Sequence, residues 1–219
     1  MPAWACRQRR RGLSIRTDLG PHCTHRTYLH GGGVMSQPAP SSEQPRTITH
    51  VGVTVTDAEE AIDWYRRILG FQLLHEPQEY VSGEGYFGGL VADMLGPHVV
   101  RGKIAMMDAG NGVGLELFEF SEPKPDPRGA DENQQFYLHK TGTFHFCVID
   151  PDVEGLARRI AESGGKQRSA VWEFAEGIGF YVCYCEDPFG NIVEIYSHGT
   201  CHIWSALAQI NKKAGSHQL

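Results

Sequence analysis

The chain has 219 residues, of which 41% are hydrophobic and 21% charged, so it is long enough for one or two domains with a buried core. Its formal net charge is −6, and residues 1–34 carry six arginines and one aspartate, so the remainder is strongly acidic. An acidic body argues against nucleic acid as the main partner, because phosphate binding requires lysine and arginine. No apolar run approaches the roughly 20 residues that a membrane-spanning helix needs.

The first segment, residues 1–46, differs in composition from everything after it. Its arginines lie among glycine, serine, threonine and proline, with no sustained helical or strand period. We interpret this segment as a disordered or targeting N-terminal tail, and a start of translation at Met35 is a third interpretation. The six cysteines form no CxxC pair, which favours a reduced compartment. We expect a cytoplasmic protein, or an organellar one if residues 1–34 are a transit peptide.

One strand–helix pattern occurs twice in the chain, 95 residues apart. The first copy begins with His50 and the second with His145, each followed by apolar strand residues and then by an aspartate, Asp57 or Asp152, that opens a helix. The apolar positions of both helices follow the i, i+3, i+4, i+7 spacing of a single helix face, and both helices end at glycine. An internal repeat is therefore the organising feature of the sequence.

The repeat predicts a domain over 47–198, composed of two modules. The first module spans 47–120, a proline-rich linker spans 121–142, and the second module spans 143–198. In the first module we predict strands and a helix in the order 48–55, helix 58–69, 71–75, 99–108 and 114–120, with a Gly-punctuated insertion at 76–98 that contains a short helix around 90–95. The second module repeats the order as 143–149, helix 153–163, 167–172, 180–185 and 192–196. Residues 199–219 are predicted to form a C-terminal helix, at about 202–212, and a tail.

The last strand of each module carries one glutamate among apolar residues. Strand alternation places Glu116 on one face with Phe118 and Phe120, and places Glu194 with Tyr196. A charged glutamate in apolar surroundings has to be paired, protonated or bound to a metal. Two histidines and two glutamates related by an internal repeat therefore predict a divalent metal site with nitrogen and oxygen ligands.

Three motifs resemble the vicinal oxygen chelate (glyoxalase/bleomycin resistance/dioxygenase) superfamily, and the resemblance is nearest to its glyoxalase I-like or epimerase-like members. The motifs are His50-Val-Gly-Val-Thr-Val, Ala61-Ile-Asp-Trp-Tyr-Arg-Arg-Ile-Leu-Gly-Phe71 and Glu186-Asp-Pro-Phe-Gly-Asn-Ile-Val-Glu194. The resemblance implies an α+β fold in which two paired βαβββ modules form an open curled-sheet cup. It also implies one divalent metal ion (Zn, Ni, Co, Mn or Fe) held by His50, Glu116, His145 and Glu194.

The resemblance further implies a metal-dependent lyase or isomerase of the glyoxalase I type, which abstracts a proton beside a metal-chelated carbonyl through an enediolate. Glu194 is the first choice for the base and Glu116 for its partner. The alternatives are an extradiol-type ring-cleaving dioxygenase, a CoA-ester epimerase, or a metal-free small-molecule binding protein of the same fold.

The expected partner is a small molecule with neighbouring oxygens, without nucleic acid or membrane, and the sequence leaves a homodimer open. Glyoxalase I follows its first Glu with an Asn that helps to hold glutathione, whereas Glu116 is followed here by Leu117, Phe118, Glu119 and Phe120, so the substrate need not be a glutathione adduct. The candidate wall residues of the substrate pocket, for which core packing is the competing interpretation, are Met106, Phe118, Phe120, Phe180 and Tyr184.

Overall fold

The computed structural model describes residues 46–125 and 141–215, with side chains as far as 211. The predicted tail over 1–46, apart from its last residue, and most of the predicted linker over 121–142 lie outside the described residues. The two modules belong to one compact unit, Arg46–Leu219. Among the described helices, none is long and apolar enough to cross a membrane.

The first module forms a four-stranded sheet in the order β1-β4-β3-β2, in which β1 and β4 are parallel. Strand β2 is longer than predicted, strand β4 runs two residues into the predicted linker, and the helix of the insertion is longer than predicted. The elements in chain order are β1 His50–Val55, α1 Ala58–Leu69, β2 Gln72–Val81, α2 Gly85–Leu95, β3 Arg101–Asp108 and β4 Gly114–Glu122.

The second module forms a sheet in the order β5-β9-β8-β6, with β7 also paired to β8 and with β5 parallel to β9. Its topology repeats that of the first module, so the structure is a mixed α+β fold with two open sheets, as predicted. The elements are β5 His145–Ile149, α3 Val153–Glu162, β6 Lys166–Gln167, β7 Trp172–Glu173, β8 Tyr181–Glu186, β9 Ile192–Tyr196 and α4 Thr200–Gly215.

Both repeat helices begin as the sequence predicts. The side chain of Asp57 accepts a hydrogen bond from the backbone N–H of Glu60, and Asp152 does the same for Gly155. Helix α1 ends at Gly70, whose φ of 73° lies in the left-handed region that glycine adopts without strain.

The core joins the helix-facing sides of the two modules. Leu115 and Leu117 of β4 and Val193 and Ile195 of β9 belong to a single cluster of buried apolar side chains, together with the apolar faces of α1 and α3. The alternate residues of β1, β4, β5 and β9 therefore lie on the opposite face of each sheet, and they include the candidate metal ligands.

Polar contacts at the module boundary complement this core. The buried Tyr65 of α1 donates a hydrogen bond of 2.5 Å to the carboxylate of Asp187, in the turn before β9. The side-chain amide of Asn191 donates to the same carboxylate and to the backbone carbonyl of Thr54, at 2.9 and 3.1 Å. The Trp64 indole donates to the backbone carbonyl of Ser163 at 3.0 Å.

Replacing Tyr65 by phenylalanine tests this boundary. The ring stack on Phe71 would remain, but the carboxylate of Asp187, which is only 2% exposed, would lose one donor. We expect the free energy of unfolding to fall by about 1–3 kcal/mol in urea denaturation. The control, Tyr86→Phe on the exposed side of α2, should change it by less than about 0.5 kcal/mol. Equal effects of the two variants would contradict a structural role for the Tyr65 hydroxyl.

Candidate metal centre

The first half of the candidate site lies where β1 and β4 run side by side. The register places His50 opposite Gly114 and Gly52 opposite Glu116, so the histidine and the glutamate are two residues apart on the same face. His50 Nε2 and Glu116 Oε2 are 3.4 Å apart, with side chains 47% and 22% exposed. A Cβ on Gly114 would lie 3.2 Å from the His50 Cβ and 2.9 Å from the Met106 sulfur, so glycine keeps this corner open.

The second half repeats this geometry on β5 and β9. His145 lies opposite Ile192 and Cys147 opposite Glu194. His145 Nε2 and Glu194 Oε2 are 3.2 Å apart, and the two side chains are 28% and 8% exposed. The other ring nitrogen of His145, Nδ1, is buried and has no hydrogen-bond partner among the described residues.

Protic side chains surround Glu194 on its own sheet. Cys147 and Tyr184 are its direct cross-strand neighbours, and Tyr196 follows two residues later on the same face. Burial, followed by the negative charge of Glu194, raises the pKa of Tyr196 to about 12. The same two causes raise the pKa of Tyr184 well above its ordinary value, so both phenols stay protonated at neutral pH.

The corresponding surroundings of Glu116 are aprotic. Its cross-strand neighbours are Gly52 and Met106, and Phe118 follows two residues later. The Phe118 ring is stacked on Phe120 with centroids 5.9 Å apart. The two halves of the site therefore share a backbone pattern but differ in polarity.

The remaining predicted pocket residues fall into two groups. Met106, Phe118 and Phe120 share the face of Glu116, and Tyr184 lies beside Glu194 and 5.5 Å from the His145 ring. Phe180 precedes β8 and packs instead against His198 and His202, with ring centroids 4.8 and 5.2 Å away. Helix α2 covers the Phe120 end through a buried cluster made of Tyr80, Val91, Val99 and the partly buried Phe87, Leu95, Ile104 and Phe120.

In the structure the four predicted ligands form two His–Glu pairs, His50 with Glu116 and His145 with Glu194. In the described part of the chain, the pairs do not join into a group of three or more donor atoms that all lie within 4.8 Å of one another. The group that meets this distance is Asp57, Glu59 and Glu119. There, Glu119 accepts the backbone N–H of Ala58, and Lys103 contacts Glu59 at 3.0 Å and Glu119 at 3.8 Å, so these acids already have partners.

The donors of the two pairs fit a divalent metal chemically. Imidazole nitrogen and carboxylate oxygen are ligands common to Zn, Ni, Co, Mn and Fe. Two neighbouring ligand atoms that each lie about 2.1 Å from a metal at right angles are about 3 Å apart. The separations of 3.4 and 3.2 Å are close to that spacing and exceed the roughly 2.7–2.9 Å of a tight charge-assisted hydrogen bond.

Comparisons with known proteins agree with the fold. The sequence of residues 47–195 matches the Glyoxalase/Bleomycin resistance protein/Dioxygenase superfamily. The chain is 27% identical over 170 residues to a lactoylglutathione lyase of Pseudomonas putida, which covers 74% of this chain and 91% of that protein. It is 25% identical over 121 residues to a 2-epi-5-epi-valiolone epimerase of an Actinomyces species, covering 54% of this chain and 59% of the epimerase.

A solved structure of a glyoxalase family protein from Bacillus cereus superposes with a TM-score of 0.55 at 21% identity, covering 72% of this chain and 97% of that one. The match over 47–195 spans most of the chain, so the protein belongs to the Glyoxalase/Bleomycin resistance protein/Dioxygenase superfamily. The resemblance inferred from the sequence motifs is confirmed at this level.

Proposed function

We propose that the protein is a metal-dependent lyase or isomerase of the glyoxalase I type. The observation that carries this proposal is the recurrence of one His–Glu pair at the same register position in both modules, at 3.4 and 3.2 Å. A chance pairing of surface charges would have no reason to recur at equivalent positions of an internal repeat. His50, Glu116, His145 and Glu194 would hold the metal.

A bound divalent metal would supply Lewis-acid polarisation of a substrate carbonyl that has a second oxygen beside it. The chain's own contribution is proton transfer, because a carboxylate next to the reacting carbon can take the C–H proton and return it. Glu194 is the proposed base and Glu116 its partner. Met106, Phe118 and Phe120 would exclude water around the reacting carbon on the more open side of the site.

The substrate class is a small molecule with vicinal oxygens, such as an α-hydroxycarbonyl or an α-oxo acid derivative. The similarity to a lactoylglutathione lyase supports proton transfer beside a carbonyl, and the similarity to an epimerase supports the same elementary step with a different substrate. Both reactions need one group to remove a proton and one to return it, which two carboxylates can provide.

A metal-free binding protein is the second candidate. It is favoured by one observation: in the described residues the four donors form two separate His–Glu pairs and no group of three within 4.8 Å. In that case each histidine would only contact its glutamate, and the aromatic side chains would bind the ligand. A homodimer, which the sequence leaves open, stays a prediction for either candidate.

Exchange of the substrate C–H proton with solvent separates the two candidates. The chelator-treated protein is reconstituted in turn with Ni²⁺, Zn²⁺, Co²⁺, Mn²⁺ and Fe²⁺, and a panel of α-hydroxycarbonyl compounds is followed by NMR in D₂O. We expect deuterium incorporation with at least one metal and none with the chelated protein. Ligand binding without exchange, and without any effect of added metal, would contradict the enzyme and support the binding protein.

A further inference from the structure

A cavity of about 550 Å³ lies in the first module, where the end of β2 and the start of β3 meet the first turns of α2. Its volume is within the roughly 300–1,000 Å³ that is usual for small-molecule sites. None of the four candidate metal ligands lines it. The repeat does not account for it either, because the second module has the strand β7, and not a helix, between β6 and β8. We call it the Tyr80 cavity after one of its lining residues.

The hydroxyl of Tyr80 is buried and has no hydrogen-bond partner among the described residues. The whole residue is only 4% exposed. Its cross-strand neighbour on β3 is Gly102, which also lines the cavity. A Cβ on Gly102 would lie 2.6 Å from the Tyr80 hydroxyl oxygen, so this oxygen lies at the cavity wall. Because a buried hydroxyl without a partner is unfavourable, a polar group placed inside the cavity would stabilise it.

The lining of the cavity carries two charges of each sign, Arg101 and Lys103 on β3, Glu79 on β2 and Glu84 at the start of α2. Lys103 already has acidic partners, whereas Arg101 pairs only with Glu122, at 3.3 Å. Both members of that pair are more than half exposed, so water and salt weaken it. The carboxylates of Glu79 and Glu84 have no ion-pair partner within 4.0 Å in the described part of the chain. The cavity therefore offers a weakly held cation and two unpaired carboxylates.

We propose that the Tyr80 cavity is a second binding site, for a small zwitterion of the α-amino acid type. The carboxylate of the ligand would pair with Arg101, its ammonium group with Glu79 or Glu84, and one of its polar groups with the Tyr80 hydroxyl, which can donate or accept. A ligand with only negative charge would meet the two carboxylates, one with only positive charge would meet Arg101, and an apolar one would leave the polar wall without partners. The site is separate from the His–Glu pairs and does not depend on a metal.

A bound ligand would also act on helix α2. Tyr80 belongs to the buried cluster that joins α2 to the first sheet, and its ring lies edge-on to Phe87 of α2 with centroids 6.3 Å apart. Phe87 lines the cavity as well. A ligand held by Tyr80 should therefore restrain α2, which covers the Phe120 end of the sheet face that carries Glu116.

Thermal unfolding of the full-length protein in the presence of a chelator tests the site without any metal. The common α-amino acids are added one at a time, each beside its N-acetyl derivative, which lacks the positive charge, and its amide, which lacks the negative charge. We expect at least one free amino acid to raise the Tm in a concentration-dependent way, because it binds the folded protein only, and we expect its two derivatives not to do so. No rise with any amino acid, or an equal rise with a derivative, would overturn the proposal.

The variant Tyr80→Phe separates ligand binding from packing, because it keeps the ring beside Phe87 and removes only the hydroxyl. Without ligand its Tm should be unchanged or higher, since the lost hydroxyl had no partner among the described residues. Its affinity for the amino acid that stabilises the unmodified protein should be about 2–10-fold weaker in isothermal titration calorimetry.

The matched control is Tyr86→Phe, because Tyr86 lies on α2, is 90% exposed and does not line the cavity. It should bind the same amino acid with unchanged affinity. Unchanged affinity in Tyr80→Phe, or an equal loss in Tyr86→Phe, would overturn the proposed site.

Discussion

Replacing Glu194 by glutamine is expected to abolish exchange of the substrate C–H proton while leaving much of the bound metal. Glutamine keeps an oxygen donor at the same position but cannot accept a proton at neutral pH. Removal of a general base typically costs about 10²–10⁴ in rate. The exchange rate in D₂O and the metal content are measured on the same preparation of Glu194→Gln.

Glu154→Gln on the exposed side of α3 is the control for this experiment, because it removes a charge from the same module away from the site. It should exchange at the normal rate. Near-normal exchange in Glu194→Gln would show that the base is Glu116 or another group.

The substitution His50→Ala is expected to have the opposite signature: low metal content with activity that returns when metal is added. His50 is the most exposed of the four candidate ligands, so its loss should weaken binding without unfolding the first module. Loss of a direct ligand should cost at least the 10–100-fold in affinity that loss of an outer partner costs. The affinity and the metal concentration that restores half of the exchange rate are both measured.

His98→Ala, which removes an exposed histidine of the same module, should bind metal as the unmodified protein does. Normal affinity in His50→Ala would remove His50 from the ligand set. Together, His50→Ala and Glu194→Gln should therefore separate into a metal-poor, rescuable protein and a metal-replete, inactive one.

The repeat and the faces of its strands could be predicted from the sequence because they depend on local spacing. The helices begin at Asp57 and Asp152 and carry apolar faces at helical intervals, and β4 alternates strictly around Glu116. Parallel pairing of each first strand with each last strand then brings the histidine and the glutamate of a module together.

Strand β2 extends beyond the predicted 71–75, because Pro77 interrupts the strand pattern of the sequence. In the structure the register with β3 shifts between His75 and Gln78. An edge strand tolerates proline and bulges, since it needs hydrogen bonds on one side only, and β2 is the outer strand of its sheet. Helix α2 begins at Gly85, earlier than the predicted 90–95, because glycines in its first turns disfavour a helix in a prediction from sequence. At Gly88 a Cβ would lie 2.0 Å from the Val81 carbonyl, so this glycine permits close packing within an ordered helix.

The surroundings of Glu194 were only partly accessible from the sequence. Tyr196 follows Glu194 at the two-residue spacing of a shared face, which the alternation indicates. The positions of Cys147 and Tyr184 opposite Glu194 depend on the register between strands, which local spacing does not determine.

Metal content in the unmodified protein and in a variant lacking all four candidate ligands is the most direct test of the account. His50, Glu116, His145 and Glu194 are replaced together by alanine, folding is checked by circular dichroism, and both proteins are analysed after exposure to excess metal and removal of the unbound ions. The account predicts one divalent ion per chain in the unmodified protein and none in the variant. An equal metal content in the two proteins would contradict it.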